Sequence, residues 1–367
     1  MIPSLAGGGA ERVAVQVLNA LDGDRWDRSL YLFARSGPFV AEVAPSIRLE
    51  SADTSSRLEQ WRRLRRFVRR IRPDVIVAFL SYLSALSAAR AAAVGTRVVF
   101  DVGTPVSAFL TDSDYRWSRP LSRHLFLAAM RIGCAATDRI VAASHGVAEE
   151  LVASFGARRW RVHVVPNPVD IRMVTEAAAA PLDEALAAQW QPPVIVAAGR
   201  LAEAKNYPLL IEAFALLRQR TPARLFILGS GSEEARLRQM IEARGLGEAA
   251  CLCGFQANPW KYIARADVFA LTSHYEGFGN VIVEAMACGV PVVATSSPGT
   301  RDIVGSGRDG VLVERHEPAA VAAALFDVLS DGEARRRMGE AARRKAEGFR
   351  TEVVALTYDR VLTEALA

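Results

Sequence analysis

Cysteine is scarce. Only four occur in 367 residues, Cys134, Cys251, Cys253 and Cys288, with no CxxC pair and no Cys/His cluster at zinc spacing. That argues against both a disulfide framework and a structural zinc site, and a reducing cytoplasm fits best. Long apolar runs are lacking too: the uncharged stretch Val75 to Ala89 is too short, and too often broken by serine (Ser81, Ser84, Ser87), to cross a bilayer. The opening MIPSLAGGGAERV carries no basic start, no apolar stretch and no cleavage signal, so nothing marks the chain for secretion. Internal repeats are absent as well, which excludes solenoid and propeller architectures.

What is present is an ordinary globular composition, 51% hydrophobic and 23% charged, far from the polar makeup of disordered chains. A chain of 367 residues exceeds what one core usually organises, so two domains are expected. Short β-branched runs alternate with longer helical patterns, the signature of βαβ units and parallel sheets. The expected strands are Ser29–Ala34, Val75–Leu80, Arg97–Val102, Arg139–Ala143, Val162–Val165, Val194–Ala198, Arg224–Leu228, Val268–Leu271 and Val290–Ala294. Met1 to Leu5 reads as the tail of one more strand, part of which is expected to lie outside the sequence, followed by glycines and a helix opening at Ala10 or Glu11. PNPVD, Pro166 to Asp170, breaks any regular element and marks the domain boundary, giving domains over 1–168 and from 169 onward. The alanine-rich stretch Glu176 to Gln191 reads as a helix or a loose insert.

Charge is divided unevenly. Met1–Asn167 holds 23 Lys/Arg against 15 Asp/Glu, whereas the remainder holds 22 against 25. Much of the excess sits in RLEQWRRLRRFVRRIRP, residues 57–73, where Leu58, Trp61, Leu64, Val68 and Ile71 make an apolar stripe at helical spacing. The seven arginines on its other faces suit an anionic membrane surface or ligand. A helix packed on a sheet shows the same pattern, with Trp61 or Phe67 as core, and the two readings stand level.

HYEGFGNVIVEAM, His274 to Met286, poses the functional question, because it places one glutamate among glycines and another inside an apolar run. Thr272 to Asn280 is a loop at a strand's carboxyl end, and Val281 to Cys288 is a helix ended by Gly289 and Pro291. Ligands of open α/β sheets bind at that edge, so Glu276 lies over the crevice and Glu284 on the first turns of the next helix. Paired carboxylates suit the vicinal hydroxyls of a sugar or ribose. Glu284 is too deep in apolar sequence for a casual surface charge, and an unpaired buried carboxylate is costly.

EGFGNVIVE, Glu276 to Glu284, resembles the E-x7-E element of retaining family 4 glycosyltransferases with the GT-B fold. GRLAEAKN (Gly199 to Asn206), GSGSEEARL (Gly229 to Leu237), CGF (Cys253 to Phe255), PGTRDIV (Pro298 to Val304) and DGVLV (Asp309 to Val313) match the family's other elements in order and spacing. The resemblance implies an α/β chain of two Rossmann-like, doubly wound parallel-sheet domains facing a central cleft. The first would be the acceptor side, rejoined by the terminal helix within 350–367, and the second, 169–349, would bind the nucleotide-sugar. Arg200 and Lys205 would hold the donor diphosphate, Glu284 the ribose and Glu276 the hydroxyls of the transferred sugar. The backbone of Gly277, Phe278, Gly279 and Asn280 would line the donor, with Gly229, Gly231 and Phe255 also on the donor side. The glycine loop Gly7, Gly8 and Gly9 would face the diphosphate and help place the acceptor, a strand–glycine–helix arrangement that suits phosphate.

The implied reaction moves a hexose or N-acetylhexosamine from a nucleotide-sugar to an acceptor hydroxyl with retention. No DxD or His/Asp cluster stands at the expected site, so neither a metal nor another cofactor is expected, and the two cations would neutralise the leaving diphosphate. Closure of the domains would exclude water. By the same resemblance Asn280, where mannosyl-transferring relatives often carry a bulkier apolar residue, favours a UDP-sugar, with GDP-mannose the alternative. The arginine-rich segment points to a lipid-linked or cell-surface glycan acceptor and a location in the cytoplasm or on the inner face of the plasma membrane, with no nucleic-acid partner. One departure from the family pattern is FDVGTP, with Asp101 and Thr104 where relatives carry a histidine or an acidic–basic pair; Asp101 and Thr104 are therefore open candidates on the acceptor side. His145, in AASHG, is a candidate for the cleft, with a place beside a helix cap the favoured reading. Two other classes compete: a GT-B epimerase or phosphorylase, and a non-catalytic protein that binds membranes or polyanions through the arginine-rich helix.

Overall fold

The computed structural model describes residues 1–6, 8–80, 82–92, 95–111 and 120–367, and the chain divides into two compact units. One holds Met1–Leu110, the described residues from Pro120 to Pro168, and Thr351–Ala367; the other holds Val169–Arg350. Among the described residues no helix is long and apolar enough to cross a membrane.

The first unit contains β1 (Ser29–Leu32) paired in parallel with β2 (Arg48–Ser51), and a separate parallel sheet ordered β3 (Val75–Phe79), β4 (Arg97–Val102), β5 (Arg139–Ala142) and β6 (Val162–Val164). β2 escapes a reading of the sequence because RLES has one apolar residue in four and no buried face to impose a period of two. The strand expected at Met1 to Leu5 is reduced to an isolated bridge between Ile2 and Leu32. Helix Gly9–Ala20 opens slightly earlier than expected and packs with the terminal helix Thr351–Leu366. Val13, Val17, Leu30, Val354, Val361 and Leu362 share one buried cluster there.

Helix Arg57–Ile71 turns Leu64, Phe67 and Val68 into the core of this unit, while Leu58, expected in the same stripe, is 57% exposed. The stripe thus serves the domain's own packing. Four of the arginines are tied to protein: Arg63 to Glu59 and the Ala52 carbonyl, Arg70 to Glu50, and Arg65 and Arg69 to the Ala91 carbonyl.

Asp101 is corrected from an acceptor-side candidate to a structural group. It is buried on β4, and its carboxylate accepts from the hydroxyl of Tyr358 on the terminal helix. Tyr82 donates to the Asp101 carbonyl at 2.8 Å. The side chain is therefore committed to fastening the last helix to the sheet. Burial pushes its carboxyl up to about 7, and the Tyr358 hydrogen bond only partly offsets that rise.

In the second unit six parallel strands, β7 (Val194–Ala198), β8 (Arg224–Leu228), β9 (Ala250–Leu252), β10 (Val268–Leu271), β11 (Val292–Thr295) and β12 (Gly310–Val313), are ordered β12-β11-β10-β7-β8-β9. β7 is buried along its whole length, as a parallel strand covered on both faces must be. Helices Tyr207–Arg218 and Pro318–Ser330 pack together and share a buried cluster with strand residues such as Ile195, Leu225 and Val293. Helix Asn280–Ala287 packs on Gly332–Ala346. Asp170 of PNPVD caps helix Ile171–Ala178 by accepting from Met173 N at 2.8 Å, so the helix begins upstream of the alanine-rich stretch and ends three residues into it, and the rest of that stretch holds only the short helix Glu184–Ala187.

Because the folded protein keeps the Asp101 proton to a higher pH than the unfolded chain, stability from this group falls as pH rises from about 4 to about 7. Asp101→Asn should flatten that fall. Urea unfolding of both proteins across this range, read as their difference so that other titrations cancel, checks it; parallel profiles would contradict the assignment.

Candidate functional site

The strand order of the second unit reverses between β7 and β10: β8 and β9 continue to one side, β11 and β12 to the other. Connections leaving neighbouring strands in opposite directions open a crevice at their carboxyl ends, where doubly wound sheets bind ligands. The loops that follow β7 and β10 carry Arg200, Lys205 and Glu276.

These loops are built by close backbone approach. Gly199 N donates to Leu228 O at 2.9 Å, Leu201 N to Ser230 O at 2.9 Å, and Gly229 N to Gly254 O at 2.8 Å, so the ends of β7, β8 and β9 are laced together. A Cβ on Gly229, whose φ is +145°, would overlap the Gly199 carbonyl oxygen, and one on Gly231 would overlap that of Leu201. Glycine is required at both positions by the protein's own main chain. Tyr207 braces the same corner by donating to Gly199 O at 3.2 Å.

Lys205 closes the short turn Glu203–Lys205, and Asn206 follows with φ +46°. The β10 loop is tied to this turn: His274 N donates to Ala204 O at 2.9 Å, and Thr272 Oγ to Asn206 O at 3.0 Å. That lacing brings Lys205 Nζ to 2.5 Å from Glu276 Oε1, an oxygen that also accepts from Ser273 Oγ at 2.7 Å. Both partners are largely withdrawn from water, with side chains 24% and 12% exposed. The carboxylate is held in place, with hydrogen-bonding capacity remaining for a ligand hydroxyl. Arg200, on the same loop, is exposed.

Beyond Glu276 the chain is again shaped by close contact. Gly299 N donates to Glu276 O at 3.0 Å, and a Cβ on Gly299 would come within 2.6 Å of Gly277 C and Phe278 N. Gly277 and Gly279 are buried, and the Phe278 ring packs edge-on against Phe349 at 5.5 Å. What Phe278 can offer a ligand is therefore main chain. Gly279, with φ +98°, starts helix Asn280–Ala287 without a side-chain cap, and the positive end of that helix favours an anion.

Glu284 lies on this helix, 8% exposed, and accepts from Trp260 Nε1 at 2.9 Å in buried surroundings. Phe255, 75% exposed, follows Gly254, whose φ is +69°. An aromatic face left this open beside laced strand ends suits stacking on a planar ring.

Among the first unit's candidates, Gly7 lies outside the described residues. Gly8 is the uncapped start of helix Gly9–Ala20. Thr104 is half-buried in the loop after β4. Ser144 caps helix His145–Phe155 by accepting from Val147 N at 3.3 Å, which makes His145 the exposed residue next to that cap.

Reading the sequence missed Trp260, Ser273, Tyr207 and Gly299. Ser273 lies three residues before Glu276 and could have been weighed with it, and Gly299 belongs to the matched PGTRDIV stretch. Trp260 meets Glu284 only through the fold.

The family model described as Glycosyltransferase Family 4 matches residues 7–172, and that described as Glycosyl transferases group 1 matches residues 181–345. The chain is 34% identical over 213 residues to the N-acetylgalactosamine-N,N'-diacetylbacillosaminyl-diphospho-undecaprenol 4-alpha-N-acetylgalactosaminyltransferase of Campylobacter jejuni, a match covering 58% of this chain and 56% of the relative. It is 34% identical over 240 residues to the D-inositol 3-phosphate glycosyltransferase of Paenarthrobacter aurescens, covering 62% and 58%. The matches thus span less than two thirds of these relatives' own length. In fold the chain is similar to Anabaena HepE in complex with UDP and glucose, with a TM-score of 0.80, 20% identity and 99% of each chain covered. It is also similar to sucrose-phosphate synthase from Thermosynechococcus elongatus, with a TM-score of 0.75, 21% identity and 99% and 95% covered. The fold is GT-B.

Substituting Gly229→Ala should cost about 2 kcal/mol or more, because the methyl group meets a backbone oxygen that cannot move without displacing the Arg200 loop. Urea unfolding measures it, and a loss under about 0.5 kcal/mol would mean that the loops are not locked together.

Proposed function

Because the chain belongs to the glycosyltransferases, its two halves matching the family 4 and group 1 models, we propose that it transfers a hexose or N-acetylhexosamine from a nucleotide-sugar to an acceptor hydroxyl. The observation that carries this reading is the Lys205–Glu276 pair at the point of strand-order reversal, with Glu284 on the helix that follows. A nucleotide-sugar needs cations for a diphosphate and carboxylate acceptors for ribose and sugar hydroxyls, and these loops present both kinds.

In this reading Arg200 and Lys205 hold the diphosphate together with the start of helix Asn280–Ala287. They neutralise the charge that grows as the bond to the anomeric carbon breaks, in the place a metal ion takes in other transferases. Lys205 moves from Glu276 towards the diphosphate on donor binding, releasing that carboxylate to orient the sugar. Glu284 takes the ribose hydroxyls, exchanging or sharing its bond to Trp260, and Phe255 lies beside the base. Transfer proceeds with retention at the front face, the leaving phosphate accepting the acceptor's proton. UDP is the favoured nucleotide, in line with Asn280 and with the UDP complex of Anabaena HepE.

The proposed acceptor is a lipid-linked or cell-surface glycan. Its support is the arginine-rich helix, together with the diphospho-undecaprenol in the name of the Campylobacter relative. Since the apolar stripe is used by the core, contact with a membrane would be electrostatic, through Arg62, Arg66 and Arg72.

Thermal shift with UDP, GDP, ADP and their sugar conjugates tests the donor site: one nucleotide family should raise the melting temperature, and Glu284→Ala and Arg200→Ala should abolish the rise. No shift with any nucleotide overturns the reading. Glu276→Gln should leave nucleotide binding nearly unchanged and lower turnover roughly 100-fold, assayed as sugar transferred rather than sugar released; equal turnover would remove Glu276 from the reaction. Flotation with anionic liposomes should fail for a variant carrying Glu at 62, 66 and 72, and absence of wild-type binding would sink the membrane contact.

A further inference from the structure

Glu284 is the fifth residue of helix Asn280–Ala287 and only 8% exposed, and a carboxylate that deep needs donors to replace the water it has lost. Trp260 supplies one: its Nε1 donates to Glu284 Oε2 at 2.9 Å in buried surroundings. An indole differs from other donors. It offers a single N–H at the edge of a rigid ring and no acceptor, so it cannot turn to receive a hydroxyl proton as a serine or an asparagine can.

The ring is also fixed in place. Trp260 is 7% exposed, and the chain on either side of it is tied down. Asn258 Nδ2 donates to the Ala177 carbonyl at 2.8 Å, Lys261 Nζ pairs with Asp183 at 2.7 Å, and the buried Tyr262 hydroxyl bonds the same Asp183. Helix Trp260–Ile263 packs on Ile171–Ala178 and on the helix that carries Glu284. The bond therefore runs from an immobile donor to a flexible side chain, and it is the carboxylate whose direction the bond decides. A carboxylate has roughly four acceptor positions, of which the indole takes one. Where the others point follows from the one that is taken.

On the reading that Glu284 takes the ribose hydroxyls, we propose that Trp260 is the positioning residue that makes the donor site select a ribonucleotide. Its N–H stays on Glu284 when the donor binds and keeps the carboxylate turned so that further acceptor positions meet the two hydroxyls. A nucleotide without those hydroxyls leaves a buried carboxylate short of donors, and that penalty, with no steric clash, is the basis of the selection. Without the indole the carboxylate relaxes into rotamers that meet neither hydroxyl well, and the penalty no longer depends on the ligand.

Calorimetric titration tests this with UDP, or whichever nucleoside diphosphate raises the melting temperature, and with its 2′,3′-dideoxy analogue. The proteins are wild type and Trp260→Phe, which keeps a packed ring and loses the N–H. Wild type should bind the ribonucleotide about 30-fold or more tightly than the analogue. Trp260→Phe should reduce that ratio at least about fivefold by weakening the ribonucleotide, while affinity for the analogue changes less than about twofold. Equal weakening of both ligands means that Trp260 serves the fold alone, which overturns the proposal and leaves Glu284 as the ribose acceptor. A wild type that shows no preference, or binds neither ligand, overturns both. A second readout uses the unaltered protein and does not depend on the variant folding. The Trp260 indole N–H resonance, one of six, should shift several-fold further with the ribonucleotide than with the analogue, and equal shifts overturn the proposal.

Discussion

The reversal of strand order between β7 and β10 is the constraint on which the site depends. It separates neighbouring connections and leaves the carboxyl ends of two adjacent strands uncovered, so loops far apart in sequence meet there. Lys205 and Glu276, 71 residues apart, become an ion pair because the strands that carry them are neighbours and their loops are hydrogen-bonded to each other. Without Thr272 and His274 holding the β10 loop onto the turn before Asn206, the two charges would be loosely placed surface groups. A half-buried carboxylate with a cation and a serine hydroxyl on one oxygen is a prepared acceptor, and preparation is what a transition state can use.

Glycine supports this arrangement in two different ways. At Gly279 the positive φ lets the chain turn sharply into helix Asn280–Ala287, exposing the helix start to an anion. At Gly229, Gly231 and Gly299 the absence of a side chain lets one strand-end loop lie directly on another. The second kind contributes to the site without touching a ligand. It explains why glycines recur through these strand-end loops even where the candidate binding group is a charged or aromatic residue nearby.

The first unit is organised by a buried acid and a terminal helix. Asp101 on β4 receives the Tyr358 hydroxyl, and Arg25 and Trp26 both donate to Asp359 one residue further on. A segment that starts at residue 351 is thereby made part of a domain that starts at residue 1. The same unit has a cavity lined by β1 and β3, beside which the Met1 amine donates to the Val77 carbonyl.

Much of this was legible in the sequence because it depends on local pattern. Fully apolar runs such as VIVAA announce parallel strands buried on both faces, and the glycine-flanked Glu276 and the apolar run around Glu284 announce a strand-end loop followed by a buried helix. β2 was not legible, since RLES has no buried face, and neither was the insertion of the arginine-rich stripe into the core, since a stripe at helical spacing looks the same against a membrane as against a sheet. Asp101 looked like a candidate for chemistry, because nothing local to FDVGTP shows that Tyr358 is waiting 257 residues away. By itself the sequence determined the alternating α/β architecture, the two domains' worth of core and the identity of the charged and glycine residues at the strand ends. Only the tertiary structure decided which of them meet, pairing Lys205 with Glu276, Trp260 with Glu284 and Tyr358 with Asp101, because partners this distant in the chain are chosen by strand order and helix packing rather than by any local pattern.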